Sequence, residues 1–145
     1  MIVISHRANL DGSDPKRENV PSCIEEILSM GIDVEIDVWF KDGAYYLGHD
    51  SPDYKVDIEW LKTDGLWCHA KNQNALERMK YDRVKNYFWH QEDRFTITSD
   101  GHIWCYPNNM SHHGILVHLD PPKSSLDVYG VCTDYPISWL KYHKP

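Results

Sequence analysis

The sequence predicts an α/β fold: a reduced TIM-like (β/α) barrel with several helices missing and replaced by hairpins or loops in its second half. Three observations carry this expectation. Apolar patterns of strand period and helix period alternate through the first half of the chain. Beyond the run Tyr87 to His90 the helical patterns fail, and Ser99-Asp100-Gly101 reads as a hairpin turn where an alternating architecture would place a helix. The chain has 145 residues, whereas a complete eightfold barrel takes about 250, and even eight minimal units of about 24 residues need roughly 190. A single domain over residues 1–145 is expected.

Taken in order, Ile2 to Ser5 is a short apolar strand, and His6-Arg7-Ala8-Asn9 continues it as a polar segment at its C-terminal end. Leu10 to Arg17, with Gly12, Ser13, Asp14 and Pro15, is a loop. From Glu18 to Met30, Val20, Ile24, Ile27 and Leu28 recur at helical spacing, and Gly31 supplies the stop. Ile32 to Phe40 alternates strictly. Ile32, Val34, Ile36, Val38 and Phe40 share one face while Asp33, Glu35, Asp37 and Trp39 share the other, which is the period of a strand.

Asp42-Gly43 is a strong hairpin signal, and the return strand Ala44 to Leu47 delivers His49-Asp50 to the site end. A loop and a short helix near Asp57 to Lys62 lead to a strand from Leu66 to Ala70, a helix from Asn72 to Val84 and a strand from Tyr87 to His90. Arg94 to Thr98 and His102 to Tyr106 flank the second hairpin turn. Ile115 to Leu119 and Gly130 to Thr133 are the last strands, and Ile137 to Tyr142 is a short helix.

With 41% hydrophobic and 26% charged residues the composition is that of a globular protein. Six Trp and nine Tyr can fill a core with few side chains or stack on a ligand. Fifteen Lys and Arg against 22 Asp and Glu give a net charge of -7, a field that repels nucleic acid and anionic membranes. No nucleic-acid partner is expected, and an anionic substrate would need a local cation or a metal. The longest apolar runs are four to six residues, against about 18 for a membrane span, so no membrane insertion is expected. The N-terminal MIVISHRAN lacks the regions of a signal peptide, which makes a cytoplasmic location the default. Cys23, Cys68, Cys105 and Cys132 form no C-x-x-C pair and read as reduced, packed thiols.

The chemistry concentrates on the alternating strand. Glu35 and Asp37 project from the same face about 7 Å apart along the chain. If that face meets solvent, the strand is an ordinary half-buried one. If the strand is parallel and both its faces are covered, two buried carboxylates need a cation or hydrogen-bonded partners. Trp67, His69 and Lys71 share one face of the third strand, Leu66, Cys68 and Ala70 the other, so a second strand also carries ionisable residues at period two. His6 and Arg7 leave the first strand at its C-terminal end, and the hairpin returns His49 there, the end where such folds place their chemistry.

The run H-R-A at His6 to Ala8, E-N at Glu18-Asn19, G-I-D-V-E-I-D-V-W-F-K-D-G from Gly31 and G-H-D at Gly48 to Asp50 resembles the glycerophosphodiester phosphodiesterase family and its wider phosphodiesterase superfamily. The family pattern is H-R-G, E-N, E-x-D, D-G and H-D, in this order and at comparable spacing. A-K-N at Ala70 to Asn72 and G-V-C-T-D-Y-P from Gly130 echo later family elements, while residues 72 to 128 show no resemblance. The resemblance implies a phosphodiester-cleaving enzyme on a barrel, with His6 and His49 as the acid/base pair. Arg7 and Lys71 would neutralise the phosphate. Glu18 would contact the substrate; Trp39, which follows the carboxylates on their face, could wall the substrate site, though an aromatic there is more often packing. Glu35 and Asp37 would hold a divalent cation, Mg²⁺ or Ca²⁺, because their oxygens are hard ligands.

Departures from the family pattern qualify this. Ala8 stands where the family prefers Gly, and Arg17 replaces the Pro that usually precedes Glu-Asn. His69 occupies the position of a third acidic ligand. It can coordinate the metal itself, stand behind the ligands, or leave a site that holds metal poorly; as a ligand it would let a transition metal compete. His90-Gln91-Glu92-Asp93 could line the pocket or form a wet turn, His112-His113 reads as solvated, His118 and Asp120 could supply a further contact, and Asp134 reads as structural.

The expected function is a metal-assisted phosphodiesterase acting on a small glycerophosphodiester or a similar alcohol–phosphate diester. A phospholipid-headgroup lyase of the toxin type, which stops at a cyclic phosphate, is one alternative. A non-catalytic phosphate-ester binding protein is another. Thin helical cover leads to the expectation of a homo-oligomer that buries exposed strand faces.

Overall fold

The alternating run around Ile36 becomes the longest strand, β2 (Asp33–Lys41), and its two faces set the architecture. The structure, a computed structural model, describes residues 1–143. Val34, Ile36 and Val38 are fully buried in one apolar cluster with Ile24 and Ile27 of α1 (Pro21–Ser29) and Ala75 and Met79 of α3 (Gln73–Tyr81). Burying such side chains contributes about 1.5–3 kcal/mol each, so this outer layer fixes which way β2 faces. The odd-numbered residues are thereby turned inward.

Strand β1 (Ile2–His6) pairs with β2 in parallel on one edge, and β5 (Leu66–Ala70) does so on the other. β5 continues to β6 (Tyr87–Phe88), again in parallel. Beyond β1 follow β10 (Gly130–Thr133), β9 (Gly114–Val117) and β8 (Ile103–Cys105), all parallel, and then β7 (Phe95–Ile97), which is antiparallel. β3 (Ala44–Leu47) and β4 (Tyr54–Val56) form an antiparallel meander on the far half of β2. The sheet curls around an inner cluster of Ile4, Trp67, Phe88, Trp104, Ile115 and Cys132. At its margin, Ser99 N–H donates to Tyr87 O at 2.8 Å and Thr96 Oγ1 to Trp89 O at 3.2 Å, tying the β7 segment toward β6.

This architecture corrects the sequence expectation of a reduced TIM-like (β/α) barrel. The protein is a mixed, curled sheet of half-barrel form with four short helices among the described residues, not a ring of alternating strand–helix units. Two local causes are visible. Asp42 (φ 50°) and Gly43 (φ 78°) both adopt left-handed backbone, the signature of a tight hairpin turn, so β2 returns as an antiparallel strand before any helix can form. From Trp89 to Tyr129 the chain forms no helix: Pro107, Pro121 and Pro122 interrupt it, and the apolar residues fall in short strand-length groups. The remaining helices are α2 (Ile58–Leu61), a single turn, and α4 (Pro136–Tyr142), whose Trp139 is buried against Val3 and Val131.

Smaller differences have equally local origins. The helix expected from Glu18 starts only at Pro21, because Asn19 takes a left-handed φ of 59° and spends its side chain on β2. Tyr54–Val56, read as loop, is a strand because it pairs with β3. Cys68, Cys105 and Cys132 are buried free thiols and Cys23 is half-buried; burial pushes the Cys68 and Cys132 thiols well up. No helix among the described residues is long and apolar enough to cross a membrane.

Candidate active site

Parallel strands end on the same rim, and the register decides which ends meet. His6 is opposite Glu35, and Asp37 is opposite His69. Glu35 is 3% exposed and Asp37 0%, so the carboxylate face of β2 is interior. Burial pushes the Asp37 carboxyl up, but the imidazoles of His49 and His69 and the charge of Arg7 outweigh it and hold the group well below the usual carboxylate range.

Asp37 is the hub. Its Oδ2 accepts from Asn19 Nδ2 at 2.9 Å, and its backbone N–H donates to Asn19 Oδ1 at 2.9 Å. Arg7 Nε lies 3.1 Å from the same oxygen and His49 Nδ1 3.6 Å. Around Oδ1 stand His69 Nδ1 at 3.5 Å and Lys71 Nζ at 4.0 Å. Glu35 is met by His69 Nδ1, 3.7 Å from Oε1, and by His6 Nε2, 3.9 Å from Oε2.

Each side chain is placed by its own local structure. Arg7 and Ala8 have φ values of 56° and 72°, forming a left-handed turn closed by Asn9 N–H to His6 O at 3.0 Å. That turn bends the chain off β1 so that Arg7 reaches back over β2. His6 is held from behind: its Nδ1 is 2.7 Å from Asp134 Oδ1, and Asn9 Nδ2 donates to the same oxygen at 2.8 Å. Burial raises the Asp134 carboxyl, yet its His6 and Asn9 bonds carry it below its ordinary value.

His49 is presented by Gly48. A Cβ there would lie 1.9 Å from Ser51 O, so only glycine fits the bend. Trp39, expected to wall the substrate site, instead donates its indole N–H to Gly48 O at 2.6 Å and pins that bend. Glu18, expected to contact substrate, lines the depression beside His49 and accepts from Ser13 Oγ at 2.8 Å and from Asn9 Nδ2 and Arg7 Nη1 at 3.4 Å each. It therefore braces Arg7.

His69 stacks on Phe88 with ring centroids 5.0 Å apart and lies 2.6 Å from His90 O through Nε2. A carbonyl only accepts, so Nε2 carries a proton and Nδ1 is turned to the two carboxylates. Burial lowers the imidazole pKa, but Asp37 and Glu35 overcome it and raise the value from 6.5 to about 9.

Whether these groups suit a metal can be judged from the donors. Glu35, Asp37 and His69 each bring one ligand atom, all within 4.8 Å of one another. Glu35 Oε2 and Asp37 Oδ1 are buried with no hydrogen-bond partner, an expensive arrangement that a cation would relieve. Adjacent ligands around an ion bound at 2.0–2.6 Å sit about 3 to 3.5 Å apart, close to the spacing His69 Nδ1 already has. Two oxygens and one imidazole nitrogen fit a divalent cation, of the hard type or a borderline transition metal.

The groups open onto two depressions. One, of about 180 Å³, is lined by His6, Arg7, Glu35 and His69 together with Trp104 and Tyr106. The other, of about 210 Å³, exposes His49 beside Glu18, Asn19 and Asp53. His6 thus faces one depression and His49 the other. His112 pairs with Asp127 at the surface, 3.1 Å away, outside the site. His118 and Asp120 lie in a separate groove.

Three participants escaped the sequence. Asn19 was visible only as half of the Glu-Asn pair, Asp134 stood in a closing T-D-Y-P run read as structural, and Asn9 gave no signal at all. Compared with protein-family models, with curated proteins and with solved structures, the chain finds no match.

Proposed function

We propose that this chain is a metal-assisted phosphodiesterase that cleaves glycerophosphodiesters or similar alcohol–phosphate diesters by general acid–base catalysis between His6 and His49. The observation that carries it is the buried Glu35–Asp37 pair with two unpartnered oxygens, next to His69, between two histidines and two permanent cations.

His6 is suited to be the base. Its Nδ1 faces the Asp134 carboxylate, an acceptor only, so the neutral ring offers the Nε2 lone pair on the cleft side. There it can take the proton from a substrate hydroxyl adjacent to the ester carbon as that oxygen attacks phosphorus. The new P–O bond gives a cyclic phosphate, the bond to the second alcohol breaks, and His49 on the opposite side protonates the leaving oxygen. Arg7 and Lys71 balance the phosphate charge, which the net -7 of the chain otherwise opposes. Glu35, Asp37 and His69 would hold the divalent cation, which when bound would stabilise charge on the phosphoryl oxygens as a Lewis acid.

The test is turnover of glycerophosphocholine and of a generic diester with Mg²⁺, Ca²⁺ and Mn²⁺, comparing wild type with His6→Ala and Glu35→Ala. Activity should depend on the added metal, and loss of the base should lower kcat by about 10²–10⁴. Phosphorus NMR reads whether a cyclic phosphate accumulates. Equal rates in the three proteins would sink the assignment.

A further inference from the structure

The turn from His90 to Asp93 has no part in the acid–base chemistry, yet it touches His69. β6 pairs with β5 only through Tyr87 and Phe88, so the ladder has ended before His90. The His90 carbonyl nevertheless stands 2.6 Å from His69 Nε2. A carbonyl outside any ladder needs another anchor.

The anchor is the His90 side chain. Residues 91 to 95 are all exposed, whereas His90 is only 7% exposed. Its Nε2 donates to Asp93 O, which closes the turn on itself, and its ring stands edge-on to Tyr106 with centroids 5.8 Å apart. The far end of the turn is fixed in its own right, because Tyr106 N–H donates to Arg94 O at 2.9 Å. His90 is thus tied through Asp93 to a backbone that is already held.

That carbonyl decides what His69 can offer a cation. A neutral imidazole carries one N–H, and His69 has acceptors at both nitrogens: His90 O at Nε2, and Asp37 Oδ1 at 3.5 Å and Glu35 Oε1 at 3.7 Å at Nδ1. With the proton on Nε2, the Nδ1 lone pair faces the carboxylates, and three donor atoms can converge on one ion. With the proton on Nδ1, the ring bonds a carboxylate instead and offers the ion nothing. Metal-binding histidines almost always donate their other N–H to such a partner, and its loss typically costs about 10–100-fold in metal affinity.

We propose that His90 is a positioning residue for the metal site: by donating to Asp93 O, its imidazole holds its own carbonyl against His69 Nε2 and so fixes His69 Nδ1 as the ligand atom. The inference rests on the cation site proposed above and extends it to a residue that is not itself a ligand.

Mn²⁺ titration, followed by the EPR signal of the free ion, tests this, with His69→Ala locating the binding. His90→Leu removes the donor at similar volume, and His90→Gln returns an amide N–H near the place of Nε2. The Leu variant should bind Mn²⁺ about 10–100-fold more weakly than wild type, and the Gln variant should recover most of that loss. Equal affinity in wild type and the Leu variant overturns the proposal. So does a Gln variant no better than Leu, which would reduce His90 to packing. If the Leu variant does not fold, His90→Asn, whose amide stops short of Asp93 O, takes its place. If wild type binds no Mn²⁺, or binds it equally after His69→Ala, the cation site fails, and the positioning is judged on metal-free protein by nitrogen-resolved NMR. There the His69 Nε2 proton should be protected from solvent exchange in wild type and in the Gln variant, and lose protection in the Leu variant. Protection that survives in the Leu variant, or is missing from wild type, overturns the positioning role.

Discussion

His69 shows how one side chain can couple the site to stability. Its Nδ1 lies between two buried carboxylates and its Nε2 against a carbonyl, so the folded protein binds a proton at this ring more tightly than the unfolded chain does. With the pKa raised from 6.5 to about 9, the stabilisation is complete below about pH 6.5 and is lost as pH rises through about 9. The difference is on the order of 3 kcal/mol. Urea midpoints measured without metal should fall across that window in wild type and stay level in His69→Gln. A level wild-type profile would contradict the pairing. Asp37 acts at the other end of the scale: its depressed pKa stabilises the fold above the ordinary carboxylate range, and that contribution disappears as acid protonates it. At this scale the sequence was informative about residue types. His6, Glu35, Asp37 and His69 are chemically distinctive and stand at strand ends or at period two. The roles of Asn19 and Asp134 were hidden, because Asn19 reaches Asp37 across 18 positions and Asp134 reaches His6 across 128. No local pattern encodes such pairings.

Among the elements, the junction of β5 and α3 carries the most from the least. Asn72 caps α3 by accepting from Ala75 N–H at 2.9 Å, and the same Oδ1 accepts from Phe40 N–H at 3.2 Å while Nδ2 donates to Phe40 O at 3.0 Å. One amide therefore starts the helix and continues the edge of β2 where β5 has ended. Removing a cap alone costs about 1 kcal/mol, and the two abandoned β2 groups add to it, so Asn72→Ala should destabilise by about 2 kcal/mol in urea denaturation. Asn72→Asp keeps the acceptor and should lose less. If both variants match wild type, the bridging role is wrong. The sequence placed a helix start near Asn72 correctly as a type of element, and the strict alternation of β2 named both of its faces. Helix lengths were overestimated, as at Glu18–Asn19, where hydrogen bonds to the site outcompete helical backbone.

At the level of the whole molecule, the strand positions other than β4 were legible and the architecture was not. Periodicity marks a strand without saying which edge it offers to which neighbour. The return of β2 into β3 and β4, and the helix-free stretch beyond β6, turned an expected ring of units into a curled mixed sheet. Helical cover is confined to the β6–β5–β2–β1–β10 side, leaving Phe95 and Ile97 of β7 at 47% and 65% exposure. The sheet also joins the first strand in sequence to the last: β1 lies beside β10. Pairings of such separation close large loops and slow folding. In refolding experiments, the proposed cleavage activity should therefore recover no sooner than the fluorescence change that reports Trp139 burial between α4 and those strands. Activity that returns first would refute this.

The His6–Asp134 contact then acquires a temporal meaning. The imidazole is aligned only by a residue that joins the sheet with its final strand. A molecule in which β10 has not docked carries Arg7, Glu35, Asp37 and His69 but no aligned His6 ring. The proposed acid–base chemistry, which needs an aligned His6, would therefore wait for β10 to dock.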